Sequence, residues 1–151
     1  MYTIILIAHS WIRWVALVAA IGATIAALSG PDARGGSRAD RWGLFLVITV
    51  DIQLLLGLLL YLVLSPLTTM ALHNFGGAMK NPQLRFWAMD HIATMLLAVI
   101  LVHVGRVLAR KAPTAEAQRT RLAVCFGFAT IAMLFGMPWP GLPNGRPLFR
   151  F

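Results

Sequence analysis

The sequence predicts an all-α membrane protein, a four-helix transmembrane up-down bundle with both termini on the periplasmic side. Three observations carry this. Of 151 residues, 59% are hydrophobic and only 12% are charged. A soluble domain would solvate its surface with about a quarter charged residues. The apolar residues fall into four blocks, each near the ~17–25 residues an α-helix needs to cross hydrocarbon. The basic residues cluster at block ends, and their uneven distribution sets the orientation.

The first span is read over about 3–28. It lacks a basic leader and its apolar part exceeds a typical signal-peptide core, so it is expected to be retained. The second is read over about 43–64, the third over about 86–108, and the fourth over about 119–137. Inside lipid the backbone must satisfy its own hydrogen bonds, so each should be helical. The segment 1–137 is thus one transmembrane domain, followed by a Pro-rich tail over 138–151.

The connections are legible too. Residues 30–40, GPDARGGSRAD, read as a Gly-rich polar turn. Residues 65–83 form a longer loop, expected to lie partly as a short interfacial helix, with Pro66 and Pro82 as breakers. Residues 109–119 read as a solvated turn, with Thr114 a candidate cap for the last helix. In the tail Pro138, Pro140, Pro143 and Pro147 forbid a continuing helix. The tail and the outer loop are expected to contact other membrane subunits.

The net charge is +8. Arg34, Arg38, Arg41, Arg106, Arg110, Lys111, Arg119 and Arg121 lie around the first and third connections, against Lys80, Arg85, Arg146 and Arg150 opposite. The richer side belongs in the cytoplasm. Basic residues placed this way point to lipid headgroups and not to nucleic acid. The single cysteine, Cys125, excludes an intrachain disulfide and reads as a packing residue.

Ionisable residues within spans are costly and mark candidate sites. Here they are His9, Arg13, Asp51, Asp90, His91, His103 and Arg106. His9 and His91 enter spans of the same direction at similar distance from the outer boundary, roughly 8–9 Å at 1.5 Å per residue. Spans one and three lie diagonally in an up-down bundle. Two inward histidines there can ligate a haem iron, or can simply hydrogen-bond between helices. Small residues share their faces: Ala16, Ala20, Ala23 and Ala27 below His9, and Ala98 and Gly105 below His91. Such faces suit a flat ring or close helix packing equally.

Arg13 has two readings, a partner for a haem propionate or a structural ion pair with Asp51 of span two. Asp90 is expected to pair with Arg85 or Arg13. His103 has no histidine at its depth and reads as a hydrogen bond to another helix, and His73 as a surface residue. No nucleotide loop, Ser–His–Asp set, HExxH or calcium loop is present, so a stand-alone hydrolase or transferase finds no support.

HSWIRW at 9–14, DIQLLLGLLLY at 51–61, RFWAMDH at 85–91 and MPWP at 137–140 together resemble small bacterial four-helix membrane proteins labelled cytochrome b-like. The resemblance spans nearly the whole chain through short motifs. It implies a four-helix bundle, with haem b at His9 and His91, in an electron-transfer membrane. His103 matches none of its elements. The expectation is a b-type cytochrome-like inner-membrane subunit that transfers electrons. The alternative is a cofactor-free accessory or structural subunit of a larger respiratory or photosynthetic complex.

Overall fold

The computed structural model describes residues 1–29 and 38–151. Most of the turn read over 30–40, and Arg34 with it, lies outside the described residues.

The spans are α1 (Tyr2–Leu28), α2 (Arg38–Leu59) prolonged by a π-turn over Leu60–Leu64, α6 (His91–Arg110) and α7 (Ala115–Gly136). Between them run three short helices, α3 (Pro66–His73), α4 (Phe75–Lys80) and α5 (Pro82–Arg85). A second π-turn, Phe86–Asp90, joins α5 to α6, making Pro82–Arg110 one continuous helical rod. No strand occurs among the described residues. Among the described residues, four helices are long and apolar enough to cross a membrane, marking a multi-pass membrane protein.

Local chemistry explains the ends. Ser65, Asn74, Asn81 and Thr114 each cap the following helix by accepting a backbone N–H through the side-chain oxygen. Pro66 and Pro82 occupy first-turn positions, where the missing N–H costs nothing. The loop over 65–83 is therefore three capped helices instead of one. Two spans also begin earlier than hydropathy alone indicates. At α7 the Thr114 cap starts the helix before its apolar run. At α2 the start at Arg38 places Asp40 in the first turn, where a carboxylate suits the helix dipole. Arg106 of α6 donates through Nη1 to both the Asp40 carbonyl and its Oδ1, at 3.1 Å each.

α1 packs on α2 and α7, and α6 packs on the same two helices, so α1 and α6 face each other across the diagonal. Small residues let the helices close. Ala16, Ala19, Ala20, Ala23 and Ala27 of α1 are all buried. Thr24 and Thr130 meet hydroxyl to hydroxyl at 3.2 Å between α1 and α7. A Cβ at Gly105 would lie 2.5 Å from the Cys125 Cβ, so α6 and α7 touch there only because that side chain is absent.

The largest fully buried side chains, Phe126, Leu46, Leu122 and Val102, fill the half away from the termini. Nearer the termini the core changes character. There a glutamine of α2 meets a histidine of α1, and a histidine of α6 meets the end of α7.

The tail folds back onto α1. Trp11 Nε1 donates to the Arg150 carbonyl at 2.8 Å, and Trp14 Nε1 to the Leu148 carbonyl at 2.9 Å. Phe149 packs against both indoles. Prolines contribute carbonyls without N–H groups, so this stretch is rich in acceptors that the tryptophans answer. The order of the tail thus has a source within the chain, apart from the neighbouring subunit expected from sequence.

Candidate functional site

Local geometry fixes the His9 tautomer. Gln53 Nε2 lies 3.0 Å from the His9 carbonyl and 3.2 Å from His9 Nε2. The carbonyl can only accept, which orients the amide with nitrogen toward His9. Its second hydrogen then points at Nε2, which must be bare, so the ring proton sits on Nδ1. The ring lies flat enough on α2 that a Cβ at Gly57 would come within 3.2 Å of its Cε1. A side chain at position 57 would press on the imidazole.

That arrangement leaves atoms without partners. Among the described residues, the buried side-chain polar atoms with none are His9 Nδ1, Ser10 Oγ, Arg13 Nε and Gln53 Oε1. All four belong to one turn of α1 and the glutamine that binds it. Buried polar atoms are rarely left unpaired, since each costs about 1–3 kcal/mol. Four such atoms stand together at this end of the bundle.

His91 is placed by different means. The π-turn ending at Asp90 sets the start of α6, and π-turns recur where a helix must re-aim a side chain. His91 Nδ1 lies 2.7 Å from the Gly136 carbonyl at the end of α7. Again a carbonyl forces the proton onto Nδ1, leaving Nε2 bare in the neutral ring. No described residue hydrogen-bonds that Nε2. Phe86 and Trp87 flank the ring, with centroids 5.9 and 5.7 Å away. Arg13 lies within coulombic reach of both imidazoles, and His91 within that of His9.

Arg13 and Asp51 do not form the expected ion pair; each has a different partner. Arg13 Nη2 donates to the Pro147 and Leu148 carbonyls, at 3.1 and 2.6 Å. Asp51 Oδ1 lies 3.4 Å from His103 Nε2 on α6. The reason is angular. Residues two apart on a helix diverge by about 200°. Gln53 faces α1, so Asp51 must turn away from α1 and toward α6. Depth alone matched Arg13 with Asp51, and azimuth separated them. Asp90 pairs with Arg85, Nε to Oδ2 at 3.3 Å. His73 is exposed, and Cys125 is buried in helix packing.

The two histidines differ in readiness for a haem iron. His91 fits an axial ligand: a carbonyl holds its Nδ1–H, the usual support for a ligating imidazole, and its Nε2 is unoccupied. His9 does not fit in this rotamer, because its bare nitrogen already accepts from Gln53. Turning that ring would be required. The unpartnered Arg13 Nε and Ser10 Oγ suit a carboxylate such as a propionate. No group of three or more metal-ligating side chains occurs among the described residues.

Sequence reasoning missed Gln53 as the His9 partner. The i, i+2 opposition of Asp51 and Gln53 was visible, but not which of the two faces α1. It also missed Tyr61 and the two π-turns beside His91. Compared with protein-family models, curated proteins and solved structures, the chain matches none.

Proposed function

We propose that this chain is a b-type cytochrome-like subunit of a bacterial inner membrane, taking part in electron transfer, with the termini on the periplasmic side. The observation that carries the reading is His91: carbonyl-backed at Nδ1, bare at Nε2, and next to a turn of α1 holding unpartnered donors. Haem, when bound, supplies a one-electron couple. His91 would hold the iron from α6, His9 would be a second ligand from α1 only with its ring turned off Gln53, and Arg13 and Ser10 would hold a propionate. The orientation rests on the excess of Arg and Lys at the bundle end away from the termini.

The test is a reduced-minus-oxidised visible spectrum of the purified protein. A b-type band that His91→Ala abolishes is the expected result. A featureless spectrum from a folded, helical preparation overturns it.

A second reading has its own observation. Gln53 already satisfies the bare nitrogen of His9, as expected of a histidine that only joins helices. On that reading the chain is a cofactor-free accessory subunit of a larger respiratory or photosynthetic complex. Co-purification of stoichiometric partner subunits, with no haem band from this chain, favours it.

A further inference from the structure

A half-open cavity of about 130 Å³ lies between the connecting helices and the tail. α3 and α5 line it with Leu67, Gln83 and Leu84, the second π-turn with Trp87, and the tail with Asn144 and Arg146. None of its lining residues is acidic. The space admits several waters, or one group the size of a phosphate or carboxylate.

Backbone bonds fix both walls. On one side the Asn81 side chain accepts from the Gln83 and Leu84 N–H groups, at 3.0 and 3.1 Å, and sets the start of α5. On the other, Gly145 N donates to the Leu142 carbonyl at 2.8 Å and Arg146 N to the Pro138 carbonyl at 3.1 Å. A Cβ at Gly145 would lie 2.5 Å from the Trp139 oxygen, so this turn closes on a position without a side chain.

Arg146 supplies the charge. Its Cζ lies over the Trp87 ring, 5.1 Å from the centroid. That attraction comes from the negative face of the ring and replaces no hydrogen bond. The side chains of Gln83, Asn144 and Arg146 hydrogen-bond no other residue among those described. The nearby Arg85 differs, because Asp90 meets its charge. The cavity thus brings together a guanidinium and two amides with unspent donors, beside two leucines and an indole.

We propose that this cavity binds the phosphate of a phospholipid. The phosphate oxygens accept from Arg146 and from the amides of Asn144 and Gln83, as charge-assisted bonds. Leu67 and Leu84 cover the glycerol and the first acyl carbons. A free phosphate would match the donors and leave the leucines unmatched. The depth agrees: α5 opens the spanning rod Pro82–Arg110, so the cavity stands where hydrocarbon gives way to headgroups. The site uses none of His9, Arg13 and His91, so it holds whether or not haem binds.

The experiment is calorimetric titration of the purified protein, exchanged into a maltoside detergent that carries no phosphate. The probes are dihexanoyl phosphatidylglycerol, dihexanoylglycerol and inorganic phosphate. Wild type is expected to bind the phospholipid ~10-fold more tightly than the diacylglycerol, the worth of a hydrogen bond to a charged group. Arg146→Gln should erase that preference and leave diacylglycerol binding as it was. Arg110→Gln, at the opposite end of the bundle, should preserve it. Equal binding of phospholipid and diacylglycerol by wild type overturns the proposal, even if Arg146→Gln fails to fold. So does an unchanged preference in Arg146→Gln. An equal loss in Arg110→Gln also overturns it, since binding then follows overall charge. Inorganic phosphate bound as tightly as the phospholipid overturns the lipid assignment and makes the site one for a free anion.

Discussion

The Tyr61 hydroxyl donates to the Ala88 carbonyl at 2.6 Å, and that bond joins the π-turn over Leu60–Leu64 to the one over Phe86–Asp90. Tyr61 belongs to the first and Ala88 to the second. A π-turn disturbs the regular i→i−4 ladder and leaves carbonyls in need of donors. Tyr61 answers one of them, and Thr68 Oγ1 answers the Tyr61 carbonyl itself at 2.8 Å. His91 follows directly on the second turn. The placement of its imidazole therefore leans on a bond between two residues 27 apart in sequence.

Tyr61→Phe should leave the buried Ala88 carbonyl unpaired. The expected cost is about 1–3 kcal/mol, read as a lower melting temperature in detergent. The loss should be local, with faster amide hydrogen exchange over 86–91 than over α1 or α7. A uniform change across all four spans counts against this role.

Gln53→Leu should remove both amide bonds to His9 while keeping a side chain of similar size. The bare Nε2 of His9 then loses its donor, at about 1–2 kcal/mol. If His9 binds iron, the same substitution frees that nitrogen, so haem occupancy should rise as stability falls. A fall in both would show that Gln53 supports the bound state.

Arg13→Lys should loosen the tail although charge is kept. Both bonds to the Pro147 and Leu148 carbonyls come from Nη2 at the far end of the guanidinium, a place the shorter lysine side chain does not reproduce. Limited proteolysis should cut the segment after Pro140 several-fold faster than in wild type. Removing residues 141–151 should likewise expose Trp11 and Trp14, seen as a shift in tryptophan emission. Unchanged cutting in Arg13→Lys means the two indoles suffice.

Gly105→Ala should overpack the α6–α7 contact at Cys125, costing about 1–3 kcal/mol. Cys125→Gly in the same chain should recover most of that loss, because it removes the atom the new methyl meets. Thermal melts of the two single variants and the double variant test this as a cycle. Additive losses would place the clash elsewhere.

Much of the architecture was legible because membrane burial acts on long windows. Four apolar blocks need no tertiary knowledge to be counted, and Thr114 announced its cap through chemistry local to four residues. The α1 face of Ala16, Ala20, Ala23 and Ala27 was readable from the helical period, and every one of them is buried. The start of α2 was not, because Arg38–Arg41 is polar, and its contact with Arg106 exists only in three dimensions. The π-turns were illegible for a related reason. Nothing within 60–64 or 86–90 demands one extra residue per turn, and the demand comes from Tyr61 and Thr68 meeting carbonyls in three dimensions.

The sequence by itself determined how many segments are long and apolar enough to span, where their caps and prolines lie, and which side chains pay an intramembrane cost. Those follow from hydrophobicity, capping and proline stereochemistry, all short-range in the chain. Only the tertiary structure decided partners. Asp51 and Gln53 point about 200° apart on α2, and either could have faced α1. Packing of α2 between α1 and α6 chose Gln53 for His9 and Asp51 for His103. Helical period fixes the angle between two side chains, but only contact with neighbours fixes where that angle is set.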